Sequence, residues 1–439
     1  MIIGLVFTLF MVMGSCSPLG PLAAEAHENH EEGLRQLRKI TMKNPATEKR
    51  FHYTNKGLVL KSDDGRFSTT LGWRLQSRYS FGTRLDPILS SEFDGQERSS
   101  FEIRRARMKI GGHGYQPWIK YYFEVDWQSN RNVADNGDVG GARLIDWRIT
   151  LDPEPWFNVR IGQWKVDYNR ERVDSSGAQT FAERSIVNRV FTLDRQIGAM
   201  VSGRVLAETP MDLNYYAGVF TGQGRGMTQN DDANMMYLGR LQWNVLGSPL
   251  KWSQSDTMFH ENPAAQIAMA GYTNTGQCTR WSANGCGTLS TNNSWGNAFT
   301  DSASATAGQY RTRGLLLETA AKYQGWAWQQ EWHWKEVKDT GTNPHITALS
   351  GMYTNLSTFP SAWLPTAPKP LEIGFRYAYV DPNVGVANDT RREYTVAANW
   401  FFAGHRDKIT VDLSRLTFCL LYTSPRPRDA TLSRMPSSA

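Results

Sequence analysis

The chain has 439 residues, with 48 Lys and Arg against 42 Asp and Glu for a formal charge of +6, and it carries 16 Trp, 17 Tyr and 19 Phe. That aromatic content sits in a sequence whose mean hydropathy is −0.49, a mixture of large amphipathic side chains and polar background that is unusual for a soluble enzyme. After Met13 no run of 18 or more apolar residues occurs, which excludes a helical membrane protein and leaves room for a β-barrel, whose strands turn only alternate residues toward lipid.

The N-terminus reads as an export signal over residues 1–26: an apolar run from Ile2 to Met13, small and turn-forming residues, then Ala24-Glu25-Ala26 as the cleavage site. The basic start that such signals carry is missing, and cleavage ahead of Cys16, with lipid on the cysteine, is the alternative. Residues 27–60 follow as a polar periplasmic arm with a short helical pattern at Leu34, Leu37 and Ile40. Its His27, His30 and Glu31 read as a solvated charged tail in preference to a metal site, so neither metal nor cofactor is expected.

From Phe67 the apolar period changes to two. In FSTTLGWRLQSRYSF, Leu71, Trp73, Leu75, Tyr79 and Phe81 share one face, with Arg74, Gln76 and Arg78 on the other. RRARMKI sets Ala106, Met108 and Ile110 against Arg105, Arg107 and Lys109, and WIKYYFEVDWQ sets Ile119, Phe123 and Val125 against Lys120, Glu124 and Asp126. The pattern recurs in LIDWRITL, FNVRIGQW, DRQIGAMVSG, DLNYYAGV, YLGRLQWNV, AQIAMAGY, GLLLETAAKY, WAWQQEWHWK, ITALSGMYT, LEIGFRYAYV, REYTVAANWFF and DKITVDLSRL, giving fifteen candidate strands within residues 61–418. Turns such as DPEPW, LGSP and YVDPN join many of them, and long polar segments join others. The expected fold is all-β: a transmembrane antiparallel barrel of about 16 strands, an even number as such barrels require.

Trp326, Trp328, Trp332 and Trp334 share the outer face of WAWQQEWHWK, as an interfacial aromatic girdle would. A secreted β-sandwich that binds carbohydrate through its Trp would alternate too, and is the alternative from another class. Cys278 and Cys286, close together in a loop of an exported chain, are expected to form a local disulfide. No G-x-S-x-G motif occurs and the eight His are scattered or in the arm, so no enzyme is expected.

Total charge does not choose between nucleic acid and small anions, but its placement does. Over the first five strands the inward positions hold eight cations, Arg74, Arg78, Arg105, Arg107, Lys109, Lys120, Arg148 and Arg160, against three acids, Glu124, Asp126 and Asp146. Walls of lower dielectric focus such a field and concentrate anions in the lumen. Two readings stay open: a pore that favours anions, and a general pore whose inward charges only solvate it. His333, beside Glu331 and Lys335, reads either as an ordinary lumenal residue or as a pH-sensitive gate. The segment DSSGAQTFAERSIVNRVFTLDRQ, too irregular for a strand and carrying Arg184, Arg189 and Arg195, is expected to fold into the lumen and set its constriction.

FEIRRARMKIGGHG, WIKYYFEVDWQ and PEPWFNVRIGQWKVDYNRERVDSSGAQTFAER resemble the phosphate-selective porin O and P family of sixteen-stranded, trimeric outer-membrane channels. The resemblance runs with interruptions from Phe67 to Leu416 and is strongest from Phe157 to Arg184, where Gly162, Asp167, Glu171, Ser175, Ser176, Glu183 and Arg184 stand in the family's order and spacing. It implies an anion channel of the bacterial outer membrane, homotrimeric and surrounded by outer-membrane lipid, that passes inorganic phosphate or other small anions along an arginine ladder with lysines at the constriction. Arg172 stands where the family often has a lysine and joins Arg184, Arg189 and Arg195 as a constriction candidate; Gly177 occupies a position that can be basic. From Cys419 the sequence CLLYTSPRPRD, ending in SRMPSSA, resembles the translation of a sequencing adapter. Residues 419–439 are therefore expected not to be native, and the last strand, which would close the barrel, to be missing.

Overall fold

Sustained alternation of apolar and polar residues suits a strand with one dry and one wet face, and all fifteen alternating segments form strands. The computed structural model describes residues 2–11, 51–54, 56–82, 98–128, 142–227, 229–282, 285–289, 299, 304–341, 344–387 and 389–418. In chain order the strands are β1 (Ile2–Met11), β2 (Phe51–Thr54), β3 (Gly57–Lys61), β4 (Phe67–Gly82), β5 (Arg98–Gly114), β6 (Gln116–Asp126), β7 (Arg143–Glu154), β8 (Phe157–Lys165), β9 (Arg195–Val205) and β10 (Leu213–Phe220). They continue as β11 (Met236–Leu246), β12 (Ala264–Gly276), β13 (Arg280–Ser282), β14 (Gly285–Gly287), β15 (Tyr310–Tyr323), β16 (Trp326–Asp339), β17 (His345–Thr358), β18 (Leu371–Asp381), β19 (Arg391–Phe401) and β20 (Lys408–Phe418).

Each strand from β4 to β12 pairs antiparallel with the next, β12 pairs with β15, and the series continues to β20. β1 lies antiparallel between β20 and β4 and closes the ring. A closed ring has no second sheet to cover its apolar face, so the sandwich alternative fails. The apolar face looks outward: Trp73, Phe123, Ile149, Ile161, Leu241, Leu315, Phe375 and Val396 are exposed, while the inward Arg74, Glu124, Arg240, Glu318, Glu331 and Glu393 are buried. A lipid-facing outer wall around a polar lumen is the arrangement of an outer-membrane barrel.

β1 is the apolar run read as the core of the export signal, and a segment removed on export cannot also serve as wall. Without a strand there, backbone groups of β4 and β20 would meet lipid unpaired, at several kcal/mol each. The ring therefore requires a strand at that position, whichever segment supplies it. The cleavage site at residues 24–26, Cys16, the helical pattern at Leu34, Leu37 and Ile40, the cluster of His27, His30 and Glu31, and the tail from Cys419 lie outside the described residues. The short β2–β3 hairpin extends the sheet beside the first half of β4.

At one end of the barrel the connections are mostly tight, as at Tyr115 and at Gln324-Gly325, and at the other they are mostly long. The loop from residue 166 to 194, between β8 and β9, turns inward and carries two short helices, α1 (Arg170–Val173) and α2 (Ile186–Phe191). In the loop between β12 and β15, β13 and β14 form a small hairpin, and a disulfide joins Cys278 to Cys286 across a Cα–Cα distance of 5.3 Å.

Candidate functional site

The period-two pattern places Arg74 on β4, Arg107 and Lys109 on β5, Arg148 on β7 and Arg160 on β8 on the same inner wall. Register sets Arg74 directly opposite Arg107, a like-charged cross-strand pair that is unfavourable unless something compensates it. Carboxylates compensate Arg107: its guanidinium donates to Glu124 at 2.9 Å and Asp126 at 2.8 Å. Among the described residues Arg74 has no such partner; it donates to the hydroxyl of Ser176 on the inward loop at 2.5 Å.

These residues line a lumenal cavity of about 310 Å³ between the wall and the loop. Its cations are Arg74, Arg107, Lys109, Arg148, Arg160, Lys165 and Arg195, and its acids are Glu124, Asp146 and Asp167. Arg160 pairs with Asp167 at 2.7 Å and Arg195 with Asp146 at 2.7 Å. Lys109 and Arg148 form no ion pair among the described residues; Arg148 lies over the Tyr122 ring at 4.4 Å, and Lys165 donates to the Asp174 carbonyl at 3.2 Å. A second cavity of about 900 Å³ shares Arg74, Lys109, Arg148 and Arg160 and adds Lys56, Lys120 and Arg406. The cationic wall therefore continues from the narrow region into a wider vestibule, where Lys120 pairs with Asp152.

Loops are costly to bury because their backbone groups lose water, and this one is satisfied by the opposite wall. The N–H groups of Arg170 and Glu171 donate to Glu318 at 3.0 Å and Glu331 at 2.7 Å, that of Ala182 to Asp412 at 2.8 Å, and that of Ile186 to Glu393 at 2.8 Å. In return Asn399 donates to the Thr180 carbonyl at 2.8 Å, Lys335 to that of Val190 at 2.8 Å and Arg376 to that of Glu183 at 2.9 Å. Two inward glycines make room for the loop. A Cβ on Gly351 would come within 2.6 Å of the Phe191 ring, and one on Gly374 within 2.5 Å of Thr180. Phe191 stacks on His333 at 5.2 Å, and His333 accepts or donates at 2.9 Å with Glu331.

Within the loop, burial pushes the Glu171 carboxyl up to about 7, with the Arg376 guanidinium pulling the other way. Burial would also raise Asp194, yet the guanidinium groups of Arg172 and Arg195 hold it well below the usual carboxylate range.

The four constriction candidates therefore occupy different places. Arg195 lines the narrow cavity. Arg172 pairs with Asp194, Nε to Oδ1 at 2.8 Å, and Arg184 turns into the loop and donates to the carbonyls of Glu171 at 2.7 Å and Asp174 at 2.9 Å. Arg189 is half-buried on α2. Of the remaining wall residues, Arg78 bonds Glu183 at 2.5 Å and Arg105 bonds Gln76 at 2.7 Å.

Sequence reasoning missed two features. A β-bulge between Ile103 and Arg105 interrupts the alternation, and Arg104 reaches Glu183 of the loop at 2.5 Å; strict period two puts Arg104 outside. The second is the connection after β11, opened by LGSP, which runs from residue 247 to 263 and meets the loop inside the barrel. Gln254 N–H donates to the Ala178 carbonyl at 2.9 Å, and Trp252 lines the narrow cavity beneath the guanidinium of Arg170 at 5.2 Å. Its buried Gln254, Ser255 and Asp256 are polar residues that a hydropathy pattern assigns to an exposed turn.

Among solved structures the chain resembles OmpT, an outer membrane protein of Vibrio cholerae, at 8% identity over 82% of this chain and 99% of that one, with a TM-score of 0.46. It also resembles the outer membrane channel DcaP of Acinetobacter baumannii at 9% identity over 82% and 99%, with a TM-score of 0.46. In sequence it is 31% identical to Porin O of Pseudomonas aeruginosa over 132 residues, which are 30% of this chain and 28% of that relative. The match to the family described as phosphate-selective porin O and P covers residues 78–414, and over that span the chain belongs to the phosphate-selective porin O and P family.

Proposed function

We propose that the chain is an outer-membrane porin, a channel and not an enzyme, whose water-filled lumen favours anions and passes inorganic phosphate or other small phosphorylated anions. One observation carries this reading: the narrow cavity has seven cations against three acids, and Lys109 and Arg148 among them form no ion pair with any described carboxylate. Arginine forks match phosphate oxygens and stay charged at any relevant pH. Several moderate sites in series, from the vestibule to the constriction, let an anion enter without being trapped. Arg195 joins the path in this reading, while Arg172 and Arg184 brace the loop that narrows it. Export by an N-terminal signal and a homotrimeric assembly in outer-membrane lipid complete the proposal on the family's pattern.

The general-pore reading draws on the ion pairs of Arg107, Arg160 and Arg195, which leave less free charge than a residue count suggests. Zero-current potentials in a planar bilayer under gradients of potassium chloride and potassium phosphate separate the two. Anion preference supports the proposal, and a potential near zero in potassium chloride with only the free-diffusion potential in potassium phosphate supports the general pore.

A further inference from the structure

The outer wall carries a charged patch that the pore does not use. On β15 and β16, Arg311, Arg313 and Lys338 point outward and are exposed, with Glu336 as the acid among them. Register sets Arg311 opposite Lys338 and Arg313 opposite Glu336, and none of the four forms an ion pair among the described residues. Two cations facing each other across a strand pair are unfavourable unless an anion lies between them.

Their height is informative. The outward Trp326 and Trp334 stand eight residues apart on β16, which at about 3.4 Å per residue and a tilt of roughly 40° separates them by about 21 Å across the membrane. That is close to the roughly 25 Å apolar band between aromatic girdles, so Trp334 marks the rim. The three cations lie two to four residues beyond Trp334 and its partner Leu315, or roughly 5–10 Å above the rim, in the headgroup layer. They stand at the end with the long loops, which faces the cell exterior.

Beside the patch the outer surface is hollow. A depression of about 680 Å³ reaches Thr273 and Gly314, the neighbours of Arg313 in space and sequence, and is floored by Ala217, Gly239 and Gly271 in one cross-strand row. A Cβ on Gly239 would meet nothing within 4 Å. We propose that this face holds an outer-leaflet glycolipid, its sugar-borne phosphates on Arg311, Arg313 and Lys338 and an acyl chain in the depression. Cations near a membrane surface each strengthen anionic-lipid binding appreciably.

The test uses native mass spectrometry of the full-length folded protein in detergent, titrated with lipid A or with its dephosphorylated form. The unsubstituted protein should retain lipid A and not the phosphate-free lipid. The triple variant Arg311→Ala, Arg313→Ala, Lys338→Ala should bind on the order of a hundredfold more weakly. Gly239→Leu, which fills the depression and leaves the charges intact, should weaken binding about tenfold. Arg392→Ala with Arg415→Ala, outward cations on other strands, should leave it unchanged. Equal binding of both lipids, or of the triple variant and the unsubstituted protein, overturns the proposal. So does cross-linking between subunits through Thr273→Cys and Leu315→Cys, which would make this face a contact between copies.

Discussion

Reversing Lys109 and Arg148 to Glu is the sharpest probe of the pore, because neither forms an ion pair among the described residues. The narrow cavity holds seven cations and three acids, a net charge of +4, and two reversals bring it to zero. A monovalent anion about 6 Å from four net charges gains roughly 3 kcal/mol at the dielectric of water. Screening at physiological ionic strength, with a Debye length of about 8 Å, leaves about 1.3 kcal/mol. That enriches anions about tenfold and depletes cations by a similar factor. Under a tenfold potassium chloride gradient the unsubstituted channel should therefore reverse well toward the chloride limit of about 59 mV, and the double variant near zero. Arg311→Glu with Lys338→Glu, the same charge change on the outer wall, should shift it little. Equal reversal potentials in the two double variants would refute the assignment of selectivity to the cavity.

The loop's seat can be tested in several ways. Gly351→Leu puts a branched side chain where a Cβ alone would lie 2.6 Å from Phe191, so α2 should leave the wall and single-channel conductance should rise and become noisy; unchanged traces would mean the loop does not set the constriction. Glu393→Gln leaves Arg376, bonded to it at 2.6 Å, buried with the more distant Glu171 carboxylate at 4.0 Å as its remaining ion-pair partner, at a cost of roughly 3 kcal/mol, measurable as a lower temperature for conversion to the slow-migrating unfolded band. Glu171 has a folded value of about 7 against about 4.3 for an ordinary Glu. Its contribution to the seated loop is thus complete below the ordinary value and lost as pH rises through about 7. Open-channel noise should accordingly be greater at pH 8 than at pH 6, and alike at both in Glu171→Gln. Removing the disulfide with Cys278→Ser and Cys286→Ser, eight residues apart, should loosen its loop by about 2–3 kcal/mol, seen as faster proteolysis at Arg280 with conductance unchanged.

The barrel was legible because alternation is a local pattern: Trp73 beside Arg74 and Phe123 beside Glu124 already state which way each side chain faces. What one strand cannot state is a bulge, and Arg104 lies on the wrong side of the pattern for that reason. The polar residues from 251 to 256 were equally opaque, since a buried polar turn differs from an exposed one only in its partners, and those are the carbonyl of Ala178 and the backbone of Thr180, some seventy residues away. Arg184 reads as a pore residue from its charge, yet its acceptors are backbone carbonyls within its own loop.

The most consequential omission concerns the acids. Counted along the strands, Glu318, Glu331, Glu393 and Asp412 offset part of the basic wall. They do not face the path, because a loop folded into a confined lumen must find acceptors for its N–H groups, and a carboxylate is a strong one. The loop therefore lies on the wall that carries these carboxylates, where Lys335 and Arg376 also meet it, and leaves Lys109 and Arg148 on the opposite wall only half-buried. The polarity of the channel is in this sense a consequence of how the loop's backbone is satisfied. Replacing the seating carboxylates should alter selectivity as well as conductance, by uncovering whatever acids remain.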